Sequence, residues 1–373
     1  MFYKEVCGEK ISKLGLGMMR LPKQVNGEID EVQLEEMIKL SIEGGINYFD
    51  TAYPYHEGKS ELMVGKYLTK YPRDSYYLAD KYPGHQIAET YNPAEIFEEQ
   101  LKKCNVEYFD FYLLHNVTEM CFDVYTDPKW GIVDYFVEQK KLGRIKHLGF
   151  SCHAYIDKLE EFLQLYGDKM EFCQIQFNYL DWTLQNAKTK YDILVKYNTP
   201  IWVMEPLHGG QLADNPESAF RWIERFDNIG VILSGMSNKE QLLDNLRIFN
   251  EENPLDDEAS EKLLEKAEGL KKGVPCTGCG YCQENCPMGL HIPRLLAAYN
   301  DAKYFKGFTP AMYLDSLDED KKPSQCLGCG ACAAMCPQKI DIPEVMKELC
   351  EMDLPNWRKI CEERAAAAAA NKE

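Results

Sequence analysis

The sequence predicts an α/β chain: a closed (β/α)8 barrel over the first two-thirds, then a smaller, mainly helical unit. Three observations carry this expectation. The chain has 373 residues, more than the ~250 that a typical barrel uses, so one further unit fits. Short, β-rich apolar runs alternate eight times with segments of helical period. Eight of the fifteen cysteines stand in two tight groups late in the chain.

The expected strands are 14–20, 47–52, 75–81, 109–115, 145–151, 172–179, 200–206 and 230–235. Between and after them, 32–43, 58–70, 93–104, 129–141, 154–166, 184–197, 216–226 and 239–249 repeat apolar residues at helical spacing. In the first of these helices Leu34, Met37, Ile38 and Ile42 mark the apolar face. An open doubly wound sheet shares this alternation but usually has fewer strands. No Gly-x-Gly-x-x-Gly follows the first strand, and Gly15-Leu16-Gly17 is too short for that fingerprint. The closed barrel is the better fit. Residues 250–257 are polar, with Pro254, and read as the barrel's end. A charged amphipathic helix, 258–272, leads into the cysteine region. The expected division is 1–255 barrel, 256–364 second domain, and a tail 365–373 within an alanine-rich stretch that carries no recognisable chemistry.

Apolar residues make up 45% and charged residues 27%, which suits a globular protein and excludes disorder or a fibre as the main state. The net charge is −18, spread along the chain. Phosphate backbones and anionic membranes would be repelled, so neither nucleic acid nor a membrane is an expected partner. The chain lacks an apolar run of ~18 residues, and its start lacks the layout of a signal peptide. The expected location is the cytoplasm, where clustered cysteines point to metal or redox chemistry rather than disulfides.

Cys276, Cys279, Cys282 and Cys286-Pro287 follow the pattern C-x2-C-x2-C-x3-C-P. The pattern recurs fifty residues later as Cys326, Cys329, Cys332 and Cys336-Pro337. Thiolates are soft ligands suited to iron, and the spacing wraps three of them round one cubane. Gly278, Gly280, Gly328, Gly330 and Ala331 let the backbone curl closely. Two zinc sites are the alternative, but the doubled spacing and the two prolines fit zinc poorly. In two-cluster ferredoxins the fourth cysteine of each run ligates the other cluster. Cys276, Cys279 and Cys282 should therefore share a [4Fe–4S] cluster with Cys336, and Cys326, Cys329 and Cys332 should share one with Cys286. This half resembles the dicluster ferredoxin domains. The long interval and the helical patterns at 292–304 and 342–349 bring it nearer the α-helical kind found in multidomain redox enzymes.

In the barrel, Asp50 ends the second strand, with Tyr55 just beyond. Lys81 ends the third and His115 the fourth. A barrel gathers such strand ends at one mouth, where active sites are found. An acid, a phenol, an amine and an imidazole suit carbonyl reduction. Hydride arriving at carbon leaves charge on oxygen, and a phenol with an ordinary pKa near ~10 must then donate a proton. A neighbouring ammonium would lower that pKa, and a carboxylate would hold the ammonium. Taken alone, Asp50 reads equally as a cap, Tyr55 as a packed aromatic, Lys81 as a surface charge and His115 as a core residue.

Asp50-Thr-Ala-x-x-Tyr55, the strand-end Lys81 and Leu113-Leu-His115 resemble the aldo-keto reductase superfamily, through most of residues 1–250. The resemblance implies Tyr55 as general acid/base, tuned by Lys81 and Asp50, with His115 orienting the substrate. It implies NADP(H) or NAD(H) as cofactor, with Ser151 and Gln174 on the nicotinamide amide. Met204 stands where many relatives stack a tyrosine, with Pro206 and Leu207 after it. Gly235, Ser237, Gln241 and Asn245 fall at the phosphate end. Basic residues usual there are absent, which weakens the NADP expectation; Lys239 could partly substitute. His56, His85, His153 and His208 are weaker candidates for the mouth. Cys152 reads as an inert thiol, and Tyr53 and Trp182 as pocket walls or packing.

Nicotinamide delivers two electrons as hydride, whereas a cubane takes one, and flavin usually mediates between them. The sequence shows no flavin fingerprint. Three functions are thus in play. One is an oxidoreductase acting on a small carbonyl or alcohol, with structural or sensory clusters. Another is an electron-transfer enzyme fed by a ferredoxin-type partner, using a flavin or acting directly on substrate. The third is a non-catalytic redox sensor, against which the intact tetrad argues.

Overall fold

In the computed structural model, residues 1–86, 88–270, 273–276, 278–304 and 308–370 are described. The ends of two expected segments, 271–272 and 371–373, lie outside them. Eight parallel strands close a barrel: β3 (Leu14–Gly17), β4 (Tyr48–Asp50), β5 (Tyr77–Tyr82), β6 (Phe109–Val117), β7 (Ile145–Cys152), β8 (Cys173–Gln176), β9 (Ile201–Met204) and β10 (Ile229–Ser234). They pair in chain order, and β10 returns to β3. All eight fall within a few residues of the expected runs. An antiparallel hairpin, β1 (Tyr3–Val6) and β2 (Glu9–Ser12), precedes them. Its period-2 signal was too short to stand out in the sequence.

Side chains alternate across the barrel wall. Tyr48, Phe111 and Leu113 point inward while Phe49, Tyr112 and Leu114 face the helices, as strand geometry requires. Inside, Tyr48, Ala79, Phe111, Phe172, Trp202, Val231 and Leu233 form one packed cluster that also includes Ile11 of the hairpin. Each fully buried aromatic contributes on the order of 2–3 kcal/mol. This filling demands a missing side chain on β7. A Cβ on Gly149 would lie 2.5 Å from the Phe172 carbonyl oxygen and 2.6 Å from its ring.

The outer helices start on a recurrent device. Asp30, Asn92, Asn215 and Asn238 each accept a backbone N–H three residues on, and proline follows Asn92 and Asn215 at the first helical turn. Such caps satisfy otherwise unpaired amides and fix where each βα loop ends.

Helix Asp257–Leu270, which the sequence division places in the second unit, packs on the barrel: Ala267 is buried in the barrel–helix core. The cysteine-bearing unit repeats itself. Leu290, Ile292, Leu295 and Leu296 correspond to Ile340, Ile342, Val345 and Met346, fifty residues on, and all eight share one core. The two helices are Ile292–Tyr304 and Ile342–Glu351. Helix Phe308–Ser316 between the motifs was not expected; its apolar residues show almost no one-sided pattern because it is buried on several sides. Helix Trp357–Ala370 follows, with Trp357 and Cys361 against Met312. Among the described residues, no helix is long and apolar enough to cross a membrane.

Gly149→Ala should destabilise the protein by about 1–3 kcal/mol through overpacking. Denaturant titration checks this, and an unchanged midpoint would contradict the interior described.

Candidate active site and cluster site

At the C-terminal ends of β4, β5 and β6 the four expected residues meet. Lys81 Nζ donates to Asp50 Oδ1 at 2.5 Å and to the Thr51 carbonyl at 2.6 Å, and lies 3.5 Å from the Tyr55 hydroxyl. Lys81 and Asp50 are 1% and 3% exposed, so the pair is screened from water and neither charge is tolerable without the other. Tyr55 opens a tight turn, Tyr55–Gly58, in which His56 and Glu57 are left-handed at φ 51° and 58°. Its ring meets that of His115 edge-on at 5.8 Å. His85 also meets His115 edge-on, at 4.6 Å.

Burial pulls the Lys81 ammonium down, but Asp50 and Tyr55 outweigh it and the net shift is upward. Tyr55 departs from expectation. Burial raises its phenol above the ordinary 10.0, and the opposing pull of Lys81 does not overcome this. At neutral pH the group is therefore a loaded proton donor. Burial, then His85, Lys81 and His153, hold His115 well below its usual pKa, so its imidazole is neutral. Tyr125 fixes that strand end by donating to the His115 carbonyl at 2.6 Å.

Beside this group lie the residues given to the nicotinamide. Ser151 and Gln174 are paired across β7 and β8 and buried. The Asn116 backbone N–H donates to Ser151 Oγ at 2.7 Å, leaving the hydroxyl hydrogen available. Among the described residues, the buried acceptors Gln174 Oε1 and Asn116 Oδ1 have no hydrogen-bond partner. A hydroxyl donor between two carbonyl acceptors matches the needs of a carboxamide, so these residues fit a nicotinamide. Asn116 was not singled out from sequence. Its signal there, an asparagine directly after His115 that adopts φ 62°, is visible only once the turn is known.

Met204 ends β9, with Pro206 buried and Leu207 packed on the barrel core. Gly235 is exposed, against the Arg20 side chain, at 3.1 Å from the position a Cβ would take. The phosphate-end residues are turned to local structure. Gln241 Oε1 accepts from Ser237 N, Asn245 Nδ2 donates to Ser234 Oγ, and Lys239 pairs with Glu36.

The weaker candidates separate. His56 Nε2 accepts from Leu21 N at 3.2 Å and holds a loop. Trp182 packs on Phe177, Trp222 and Phe226 in the outer layer. Tyr53 donates to Glu99 beneath the Lys103 ammonium. His208 Nδ1 sits 2.9 Å from Asp181, which also accepts from Gln176 and Asn178. Burial pushes the Cys152 thiol up to about 11, which leaves it unreactive. His153, pushed by burial to about 3, is neutral.

In the second unit Gly278, Gly280, Gly328 and Gly330 all have positive φ, between 65° and 82°, with nothing within 4 Å of a would-be Cβ. Glycine is needed there for the backbone's path, not for lack of space. The Gly278 amide points at Cys276 Sγ at 3.4 Å, the kind of contact that supports cluster sulfur ligation. A recess gathers Cys326, Cys329 and Cys332 with Cys286, and Cys336 is an electrostatic neighbour of Cys276. Cys286 thus lies with the second run of cysteines, and Cys336 lies near the first. Among the described residues, no three such side chains close in tightly enough for a single metal ion.

Residues 13–218, more than half the chain, match the profile of the aldo/keto reductase family. The chain belongs to that family. Residues 275–340 of this aldo/keto reductase match the 4Fe-4S dicluster domain. It is 33% identical over 157 residues to "Probable aldo-keto reductase 1" of Glycine max, covering 39% of this chain and 42% of that protein. It is 24% identical over 322 residues to "NADH-specific methylglyoxal reductase" of Escherichia coli (strain K12), covering 70% and 96%. In fold it is similar to the aldo-keto reductase AKR11C1 from Bacillus halodurans (holo form): TM-score 0.58, 22% identity, covering 72% of this chain and 96% of that one.

Asp50→Asn should cost about 3–5 kcal/mol by stranding the buried Lys81 charge; denaturation measures it, and a loss under about 1 kcal/mol would contradict the pairing. If the crossed grouping expected from the spacing holds, the double variant Cys276→Ser/Cys336→Ser should keep about four irons, because both changes would fall on one cluster. Iron analysis finding both clusters lost would overturn the crossed grouping.

Proposed function

We propose that this aldo/keto reductase reduces a small carbonyl compound, or oxidises the corresponding alcohol, with NAD(P)H at the barrel mouth. We propose further that it carries two [4Fe–4S] clusters in its C-terminal unit. The observation that carries the reading is the convergence of Lys81, Asp50 and Tyr55 beside a neutral His115.

When bound, the nicotinamide supplies hydride. Ser151 Oγ, Gln174 Oε1 and Asn116 Oδ1 would hold its carboxamide and so present one face to the mouth. His115 orients the carbonyl oxygen. Tyr55 donates its phenolic proton to that oxygen as charge builds there, and Lys81 steadies the phenolate left behind. Asp50 keeps Lys81 charged and in place. Cys276, Cys279, Cys282 and Cys336 would hold one cluster and Cys326, Cys329, Cys332 and Cys286 the other; such clusters store single electrons.

At the adenosine end, Glu36 engages Lys239, and a 2′-phosphate would have to compete for that ammonium. The relatives' names include both an NADH-specific and an NADPH-dependent reductase. We infer that NADH is accepted here.

The test is carbonyl reduction by cluster-loaded Tyr55→Phe. Its kcat should fall by about 10²–10⁴, the usual size of lost acid catalysis, with cofactor affinity retained; full turnover would sink the role of Tyr55. Because the folded pKa of Tyr55 lies above 10.0, reduction by the wild type should not decline through Tyr55 ionisation as pH rises from 6 to 9. Alcohol oxidation, which needs the phenolate, should rise over that range. A pH–rate profile with the opposite slopes would contradict this assignment.

A further inference from the structure

The cysteine-bearing unit does not hang from the barrel by a linker. It packs against the barrel, and Tyr155 of the barrel reaches into its core. Tyr155 follows β7 by three positions and stands four after Ser151. It is 7% exposed and belongs to the core of the cluster unit, with Cys282, Cys332, Leu295 and Met346. Tyr313 meets its ring edge-on at 5.1 Å, and its hydroxyl lies 3.4 Å from the buried carboxyl of Asp301. Arg294, third residue of helix Ile292–Tyr304, covers the ring at 5.1 Å and pairs with Glu119 and Asp157. Glu119 in turn accepts the Tyr155 backbone N–H at 2.9 Å.

The neighbouring residue on helix Phe308–Ser316, Met312, takes the other strand. Asn116 Nδ2 points at Met312 Sδ at 3.6 Å, with both residues buried. That contact leaves Asn116 Oδ1 as the amide's open end. Since the Asn116 N–H also holds Ser151 Oγ, adjacent residues of one helix, Met312 and Tyr313, grip the end of β6 and the loop after β7 together. The segment between these grips is 151–155.

We propose that Tyr155 and Met312 are positioning residues that make the cluster unit part of the nicotinamide site, holding segment 151–155 and Asn116 in their cofactor-binding arrangement. The link runs through these two local contacts of helix Phe308–Ser316 and not through the cluster core as a whole. This rests on the nicotinamide reading of Ser151 and Gln174.

The test uses full-length, cluster-loaded protein, with amide hydrogen exchange across 151–155 and the Kd for NADH as readouts. Tyr155→Ala should accelerate exchange there and weaken NADH binding by roughly tenfold, the scale of coupling between linked sites, at wild-type iron content. Tyr155→Phe keeps the ring in the core and should stay within about threefold of wild type. Leu349→Ala also opens the cluster core, but from helix Ile342–Glu351; it should weaken the unit without moving either readout. If Tyr155→Ala does not retain iron, Met312→Ala reads the same link through Asn116, with faster exchange at 116 and 151–152 and a weaker Kd expected. Unchanged readouts in both variants would overturn the proposal, as would Leu349→Ala matching Tyr155→Ala. Wild-type protein that binds neither NADH nor NADPH, with the exchange response still seen in the variants, would instead remove the nicotinamide reading and leave the grip on 151–155 standing.

Discussion

A buried ammonium joined to a buried carboxylate is the constraint on which the barrel's mouth depends. Lys81 and Asp50 lie on adjacent strands, β5 and β4, and stand 2.5 Å apart at the ends that face the mouth. Neither could be sheltered alone, because an unpaired charge in such a place costs several kcal/mol. The pair therefore fixes the relative height of two strand ends. Thr51 lends its carbonyl to the same ammonium, which sets the path of the chain toward Tyr55. Everything that places the phenol beside His115 follows from that anchor.

The rest of the barrel makes the mouth the place for polar chemistry. Trp202, Phe172, Phe111 and Tyr48 fill the interior below it, with Ile11 of the hairpin in the same cluster. This filling is mainly aromatic and aliphatic, so the inward-facing ends of β4 to β8 are left to carry function. Burial then acts on the residues it shelters. It raises the Tyr55 phenol and lowers the His115 imidazole, and both shifts favour the neutral, proton-bearing or hydrogen-bonding forms that carbonyl reduction needs. The nearby ammonium was expected to dominate Tyr55. At 3.5 Å it is too weakly engaged to do so.

The second unit obeys a different logic. Its glycines at positive φ and its doubled apolar pattern build two similar cradles related by a fifty-residue repeat. Its core also takes in a residue from the barrel, Tyr155. Two folds that could be described separately are thereby packed as one object.

The sequence alone determined the eight-strand order, and it marked the four residues that meet at the mouth and the two cysteine runs. Strand and helix periodicity, strand-end position and ligand spacing are local properties, readable without the fold. The hairpin and helix Phe308–Ser316 escaped because one is too short for its period to register and the other is buried on several sides. Tertiary structure decided what depends on residues far apart in the chain. It turned Gln241, Asn245 and Lys239 toward neighbours of their own, sent Trp182 to an outer aromatic cluster, and set the direction of the Tyr55 shift. It also brought Asn116 to Ser151 and Tyr155 into the cluster core. Burial and side-chain partners are sums over the whole packed molecule, and no run of residues carries them by itself.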